Sequence, residues 1–351
     1  MTKPPIKVLI VDDSAVVRKM LHDALGREPG VVVVGMAPDP FAAREILLKT
    51  NPDVLTLDIE MPHMDGLTFL ARLMEHRPMP VIIVSSITQR GSAASVEALR
   101  MGAVDVIAKP DGPGGIGQVA REVAQRVREL GADSSFRVRR PLPPPTATAR
   151  PKQASAQLRK QGLMLLGAST GGTQAIEALL TRLPAEVPPI LIVQHMPAQF
   201  TKAFAERLDK VCPMRVVEAA GGERLEPGVA YVAPGDRHLI VERQGLILKT
   251  ALTSTERVHY QRPAVDVLFH SAARLRGVPM VAAVLTGMGR DGAEGLLALR
   301  TAGARTFAED ERSCVVFGMP KEAINCGAAG QVGTLLELPG MMLDAFREGE
   351  P

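Results

Sequence analysis

Short apolar runs alternate with amphipathic segments along the first 130 residues. The runs are rich in Val, Ile and Leu, and the segments between them repeat apolar residues at helical spacing. Such runs predict buried parallel strands, and the segments between them predict helices that cover both faces of the sheet. The predicted strands are 7–11, 31–35, 54–58, 80–85 and 104–108, and the predicted helices are 14–25, 41–49, 66–75, 93–100 and 117–130.

The alternation stops near residue 131 and resumes near residue 163. The residues between combine prolines with Arg, Ala, Thr and Ser and contain little that could form a core, which predicts an extended linker. Glycine and proline turns around 221–250 predict a small antiparallel insert. The remaining predicted strands are 163–167, 190–194 and 280–285, and the predicted helices are 172–183, 200–209, 265–274 and 291–302.

The whole pattern predicts an α/β protein with two domains, as expected for 351 residues. A five-stranded parallel sheet occupies 1–125 and the Pro/Arg-rich linker occupies 126–160. A doubly wound α/β domain with the antiparallel insert occupies 161–351. Functional groups in such sheets gather at the carboxyl ends of the strands.

Composition narrows the possible partners. Aromatic residues make up 3% of the chain and Trp is absent, which argues against a stacking surface for single-stranded nucleic acid. The net charge of +3 is small, and nine basic residues are concentrated in the linker. This basic segment could be a nucleic-acid arm, but a charged linker is the interpretation we prefer. We therefore expect no nucleic-acid partner.

Cysteine usage and the N-terminal sequence indicate a cytoplasmic protein. The three cysteines are widely spaced and lack a zinc-binding pattern, so we expect reduced thiols. The first apolar run ends at once in Asp12 and Asp13, unlike a signal peptide. No apolar stretch approaches the roughly 20 residues that span a bilayer, so we expect no membrane insertion.

Charged and hydroxyl residues follow the strands of the first predicted sheet. Asp12 and Asp13 follow the first strand and Asp58 ends the third, so their carboxylates should meet at one edge. Clustered carboxylates repel one another unless a cation lies among them, and Mg²⁺ suits such a site. Ser85 ends the fourth strand and Lys109 follows the fifth, where they could bind a phosphoryl group. Any one of these residues alone could equally cap a helix or form a turn.

The sequence DIEMPHMDG at 58–66, together with these groups, resembles the receiver domain of two-component response regulators over roughly residues 5–125. The resemblance implies a flavodoxin-like fold and a Mg²⁺-dependent phosphorylation site. The implied site residues are the phosphoacceptor Asp58, the Mg²⁺ ligands Asp13, Asp58 and the Glu60 backbone carbonyl, the assisting Asp12, and the phosphoryl-sensing Ser85 and Lys109.

The sequence GASTGG at 167–172 lies between a predicted strand and a predicted helix. It satisfies G-x-S-x-G, a tight turn that exposes a serine above a sheet, here Ser169. The following helix N-terminus could stabilise an oxyanion. A glycine-rich dinucleotide-binding loop is the alternative, but the next strand ends in QHMP at 194–197 without the acidic residue that such a site requires.

A base and an orienting carboxylate for this serine can also be predicted. His195 is the preferred base because its strand should neighbour that of Ser169, and His238 is the alternative. Asp291, in a glycine-rich loop after a buried strand, is the preferred carboxylate. Asp266 is the alternative, and Asp291 could instead only cap the next helix.

The motifs GASTGG, QHMP, RPAVDVLF at 262–269 and LTGMGRDG at 285–292 follow a receiver domain and a linker. Together they resemble the chemotaxis protein-glutamate methylesterases, the CheB family, over essentially the whole chain. Ala264 stands where the family commonly has serine, and the linker is longer and more basic than is usual. By this resemblance the triad is Ser169, His195 and Asp291, supported by Thr170 and the Met288 backbone.

The resemblance implies hydrolysis of glutamate γ-methyl esters, and deamidation of glutamines, on methyl-accepting chemotaxis receptors. It also implies a chemotaxis histidine kinase as phosphodonor, no cofactor in the catalytic domain, and a receiver that blocks the serine site until Asp58 is phosphorylated. Two other functions stay open at this point: a response regulator whose output domain only binds receptors, and a small-molecule esterase or amidase.

Overall fold

A computed structural model describes residues 4–61, 65–86, 88–109, 116–132 and 162–347. The chain divides into two compact units, residues 1–141 and 142–351. Pro62, His63 and Met64 of the DIEMPHMDG motif, and most of the predicted linker, lie outside the described residues. The predicted domain and linker bounds stay predictions, although the last helix of the first unit continues to Ala132.

The described part of the first unit is a parallel sheet of five strands with helices between them. The elements are β1 (Ile6–Val11), α1 (Ala15–Leu25), β2 (Val31–Ala37), α2 (Pro40–Thr50), β3 (Val54–Leu57), α3 (Gly66–His76), β4 (Val81–Ser85), α4 (Gln89–Met101), β5 (Asp105–Ala108) and α5 (Ile116–Ala132). The strands pair in the order β2-β1-β3-β4-β5.

Local sequence explains where these elements begin. Val8–Val11 are at most 1% exposed, as a strand covered on both faces requires. Ser14 caps α1 by accepting from the Val17 N–H, and Asp39 and Asp65 cap α2 and α3 in the same way. The strand order makes β1 and β3 neighbours, so the acidic residues that follow them meet at one edge.

The described part of the second unit contains a larger parallel sheet and a separate hairpin. The elements are β6 (Leu163–Ala168), α6 (Gly172–Leu180), β7 (Ile190–Gln194), α7 (Ala198–Val211), β8 (Arg215–Glu218), β9 (Val229–Val232), β10 (His238–Gln244), β11 (Ile247–Thr253), α8 (Val265–Ala273), β12 (Met280–Val284), α9 (Ala293–Thr301), β13 (Arg305–Glu309), α10 (Met319–Asn325), β14 (Gln331–Gly333) and α11 (Leu338–Arg347). Seven strands pair in the order β14-β13-β12-β6-β7-β9-β8, and β10 pairs with β11 antiparallel.

The predicted α/β class is confirmed, and so is the small antiparallel insert, which is the β10–β11 hairpin. The range 221–250 predicted for this insert also contains β9, which instead lies parallel between β7 and β8. The reason is burial: all four β9 residues are buried, so the strand belongs inside a covered parallel sheet. Only the β10–β11 hairpin is antiparallel. The strands β8, β13 and β14 and the helices α10 and α11 were not predicted.

The order of the larger sheet determines where its site can form. The strand β6 lies between β7 and β12, and the chain winds outward from β6 in both directions. Ligands of such sheets bind at the carboxyl ends of the strands where the winding direction changes. Ser169 follows β6 at this point. Within the described residues, no helix combines the length and apolarity needed to cross a bilayer.

Candidate active site

Ser169 lies in the turn between β6 and α6 and is 3% exposed. Its N–H donates to the Thr286 carbonyl at 3.0 Å, and its carbonyl accepts from the Gly172 N–H at 2.7 Å. The Gln194 side chain donates to the same carbonyl at 2.9 Å. The serine backbone is therefore fixed from both neighbouring strands and from its own helix.

Two glycines allow the backbones around Ser169 to pack this closely. A Cβ on Gly287 would lie 2.7 Å from the Ser169 Cβ and 2.9 Å from its backbone nitrogen. A Cβ on Gly172 would lie 2.2 Å from Gln194 Oε1. Neither position accepts a larger residue without displacement of the serine turn or its supports.

His195 stands beside Ser169 because β6 and β7 are paired. Ala168 is opposite Gln194 in the register, so the next residues, Ser169 and His195, follow at neighbouring strand ends. His195 Nε2 lies 2.7 Å from Asp291 Oδ2, and both side chains are 2% exposed. The other ring nitrogen, Nδ1, is buried and has no hydrogen-bond partner among the described residues. If Nε2 carries the proton toward Asp291, Nδ1 has a free lone pair and can act as a base.

Asp291 is held by the N-terminus of α8. Its Oδ2 accepts from the Val265 N–H at 2.7 Å and its Oδ1 from the Asp266 N–H at 2.9 Å. Burial raises the pKa of Asp291, but the hydrogen bond and charge of His195 and these two N–H groups outweigh burial and hold the pKa below its ordinary value. The carboxylate is thus kept ionised and aimed at His195.

The alternative residues from the sequence have other partners. His238 is fully buried, where Nδ1 accepts from the Ala264 N–H at 3.1 Å and Nε2 lies 3.0 Å from the Glu256 carbonyl. Asp266 accepts from the Gly295 N–H at 2.6 Å and lies 3.1 Å from His259 Nε2. The geometry therefore brings His195 and Asp291 together and places His238 and Asp266 in supporting positions.

Thr170 follows Ser169 directly, and Met288 follows Gly287, whose Cβ position lies 2.7 Å from the Ser169 Cβ. Neither the Thr170 N–H nor the Met288 N–H donates to a protein acceptor within the described residues. The Thr170 carbonyl accepts from Thr286 Oγ1 at 3.0 Å, and Thr286 Oγ1 in turn accepts from the Val316 N–H at 2.9 Å. Thr286 thus ties the serine turn to the next loop, and it was missed from sequence although it is the first polar residue after a buried strand.

The first unit brings its predicted phosphorylation residues together at the β1 and β3 ends. Ligand oxygens of Asp12, Asp13 and Asp58 lie within 4.8 Å of one another. Lys109 Nζ lies 2.6 Å from Asp58 Oδ2 and 2.8 Å from Asp12 Oδ2. Ser85 Oγ is buried and has no hydrogen-bond partner within the described residues. A buried hydroxyl without a partner fits a position that a phosphoryl oxygen fills.

The Glu60 side chain does not join this cluster. It accepts hydrogen bonds from the hydroxyls of Ser86 and Thr88, the latter at 3.3 Å, while the Glu60 N–H donates to Asp58 Oδ1 at 3.2 Å. Only its backbone carbonyl is left as a ligand, as the resemblance implies.

The electrostatics of the cluster fit a hard cation. Burial raises the pKa of Asp58 to about 6, although Lys109 lowers it, and the neighbouring Asp12 raises it further. Burial likewise raises the pKa of Asp12. The single ammonium group of Lys109 thus does not fully neutralise the buried carboxylates of Asp12 and Asp58. Oxygen donors at this spacing are the ligands that Mg²⁺ prefers.

Comparisons with known proteins cover both units. Residues 8–120 match the family model of the response regulator receiver domain, and residues 164–342 match that of CheB methylesterase. A protein-glutamate methylesterase/protein-glutamine glutaminase of Methylobacillus flagellatus is 48% identical over 96% of this chain and 96% of its own length. A protein of the same name from Chromohalobacter salexigens is 49% identical over 98% and 97%.

A solved structure resembles the second unit. The catalytic domain of the Thermotoga maritima CheB methylesterase is 38% identical and has a TM-score of 0.51. The match covers 52% of this chain and 97% of that domain.

Proposed function

Since this chain belongs to the CheB methylesterase family, we propose that it hydrolyses glutamate γ-methyl esters on methyl-accepting chemotaxis receptors, in the cytoplasm and under control of Asp58 phosphorylation. We propose that it also deamidates receptor glutamines at the same site. The observation that carries this proposal is the buried 2.7 Å contact between His195 and Asp291 beside the Ser169 turn. The family and the enzyme class expected from the sequence are confirmed.

Ester cleavage begins with attack of Ser169 Oγ on the γ-carbonyl carbon. His195 takes the serine proton on Nδ1, the nitrogen that Asp291 leaves free. Asp291 stabilises the imidazolium that forms and holds the ring in the required tautomer. Carbonyl oxygen becomes an oxyanion, for which the N–H groups of Thr170 and Met288 are the proposed donors.

Collapse of this intermediate breaks the ester C–O bond, and His195 gives its proton to the departing methoxide, so methanol leaves. A water molecule then attacks the acyl-serine, and His195 takes the water proton and returns it to Ser169. The products are a glutamate side chain and the free enzyme. With glutamine the same steps release ammonia.

Phosphorylation of the first unit uses the carboxylate cluster. We propose that Asp13, Asp58 and the Glu60 carbonyl hold Mg²⁺, with Asp12 assisting. Mg²⁺ bound to these residues would neutralise negative charge on the transferring phosphoryl group. Asp58 Oδ2 accepts the phosphoryl group from the chemotaxis histidine kinase. Lys109 Nζ then exchanges its contact with Asp58 Oδ2 for a contact with a phosphoryl oxygen, and Ser85 Oγ binds a second phosphoryl oxygen.

The phosphorylated receiver releases the second unit from inhibition. Such control is a population shift, in which phosphate favours the active state because it interacts differently with the two states. Asp58 and Ser169 belong to different units, so the coupling rests on family membership.

A methanol-release assay on methylated receptor tests this function. We expect slow release by the full chain alone and faster release after addition of Mg²⁺ and a small phosphodonor such as acetyl phosphate. Cleavage of small esters without any release from receptors would show a small-molecule esterase instead. Receptor binding without turnover of either substrate would show a binding module.

A further inference from the structure

An exposed aromatic side chain stands on a turn whose neighbouring residue, His259, contacts Asp266 next to the triad residue Asp291. Tyr260 is 85% exposed, in a chain with only two tyrosines. The Val258 N–H donates to the Gln261 carbonyl at 3.1 Å, and the Gln261 N–H donates back to the Val258 carbonyl at 2.8 Å. The two residues that lie between Val258 and Gln261 both have positive φ values, +49° for His259 and +63° for Tyr260. This is the pattern of a type I′ turn, in which both central residues are left-handed.

The residue types in this turn are unusual for its geometry. Type I′ turns favour Asn or Asp followed by Gly, because a bulky side chain at positive φ is strained. Residues held in such conformations persist where surrounding structure fixes them, and they concentrate at ligand-binding positions. A large aromatic ring at the position that suits glycine therefore calls for a role outside the fold itself.

His259 connects the turn to the catalytic carboxylate. Its Nε2 lies 3.1 Å from Asp266 Oδ2, and Asp266 is 3% exposed. The Asp266 N–H donates to Asp291 Oδ1 at 2.9 Å. Val265, the neighbour of Asp266, packs where a Cβ on Gly167 would lie, 2.3 Å from Val265 Cγ1. The turn is thus anchored at the strand end that carries Ser169, two residue contacts from the triad.

The charge beside Tyr260 indicates what kind of surface the ring would meet. Arg257 donates to the Tyr260 carbonyl at 3.4 Å and also to Asp236. Arg262 donates to the same Asp236 oxygen at 2.7 Å, so two guanidinium groups share one carboxylate and a positive charge is left over. An exposed tyrosine flanked by arginine is the combination that dominates the energetics of many protein interfaces.

We propose that Tyr260 is a specificity-determining residue that packs on the surface of the protein substrate beside the ester being cleaved. Its partner is an acidic segment of the substrate that carries an apolar side chain for the ring and carboxylates that face Arg257 and Arg262. His259 is a positioning residue that holds the turn through Asp266. This inference rests on the proposed function, because the substrate is taken to be a methylated receptor.

Tyr260→Gly distinguishes a role of the Tyr260 ring in substrate binding from a role in stabilising the turn. Glycine is the favoured residue at this position of a type I′ turn, so the melting temperature should stay the same or rise. We expect KM for methylated receptor to rise about fivefold to thirtyfold, the loss typical of truncating an interface aromatic, with kcat little changed. Hydrolysis of a small glutamate γ-methyl ester should be unchanged, and Tyr260→Phe should restore the receptor KM.

Leu246→Gly is the matched control, because Leu246 is a fully exposed apolar residue in the two-residue turn of the β10–β11 hairpin. It lies eight residues along the chain from His238, about 26 Å for extended strand. The variant should therefore leave KM unchanged for both the receptor and the small ester. An unchanged receptor KM in Tyr260→Gly, or an equal loss with both substrates, would overturn the inference. If wild type cleaves the small ester but not the receptor, the proposed function itself fails.

Discussion

Replacing Asp291 with Asn changes one atom type at the centre of the proposed triad. The carboxylate accepts three hydrogen bonds, from His195, Val265 and Asp266. The asparagine side chain has one oxygen and one NH₂ group, so the NH₂ group takes the place of one carboxylate oxygen. Both carboxylate oxygens accept hydrogen bonds, so the NH₂ group then faces a donor. If the NH₂ group takes the Oδ2 position, it meets the Val265 N–H and forces His195 to accept at Nε2. The proton then moves to Nδ1, which is no longer a base toward Ser169.

The expected loss of kcat is large because His195 is then in the wrong tautomer and its imidazolium form is no longer stabilised by a carboxylate. In a serine triad this exchange lowers kcat about 10³- to 10⁴-fold, which corresponds to about 4–5.5 kcal/mol of transition-state stabilisation. In the other orientation the NH₂ group meets the Asp266 N–H. That orientation keeps the tautomer but loses the negative charge, so activity still falls.

Steady-state methanol release from methylated receptor measures this effect, with circular dichroism as a check on folding. Glu294→Gln is the matched control, because Glu294 is an exposed carboxylate three residues further along whose partner is Arg290. We expect that variant to keep wild-type activity. Folded Asp291→Asn with more than a tenth of wild-type kcat would refute the role given to Asp291.

Three further changes test separate parts of the account. Asp58→Asn should remove stimulation by acetyl phosphate and Mg²⁺ while basal methanol release persists, and stimulation that survives in this variant would exclude Asp58 as the phosphoacceptor. Gly287→Ala places a Cβ 2.7 Å from the Ser169 Cβ, so methanol release should fall about 10²-fold or more, and a fully active variant would contradict the tight packing of the serine turn. Burial raises the pKa of Asp58 from 3.8 to about 6, so the folded chain binds a proton at Asp58 more tightly than the unfolded chain does. In Mg²⁺-free buffer, the contribution of Asp58 to the free energy of unfolding should therefore fall as the pH rises from about 4 to about 6. Mg²⁺ must displace the proton, so it should raise the melting temperature more at neutral pH than near pH 5, and equal shifts would argue against a site at Asp58.

The strand-end rule explains why so much of the candidate site could be predicted from sequence. Ser169 and His195 follow predicted strands, and parallel pairing of those strands leaves little freedom in where they meet. The same holds for Asp12 and Asp58. In each case a short apolar run followed by a polar residue determines position without any knowledge of distant contacts.

Other features depend on contacts that local sequence does not encode. Sequence favoured His195 as the base but did not exclude His238. The structure separates the two, because both ring nitrogens of His238 have backbone partners, the Ala264 N–H and the Glu256 carbonyl. The parallel direction of β9 could not be predicted, because glycine and proline turns look alike beside parallel and antiparallel strands. The contact between His259 and Asp266 depends on a turn whose residue types are unusual for its geometry, so local sequence does not predict it.

Trapping the acyl-enzyme tests the central claim, that Ser169 is the nucleophile on a glutamyl ester. A methylated receptor peptide is mixed with the full chain, quenched in acid and digested for mass spectrometry. We predict an adduct on Ser169 with the mass of the peptide less methanol, and neither adduct nor methanol release with Ser169→Ala. An adduct on another residue, or methanol release by Ser169→Ala at the wild-type rate, would contradict the account.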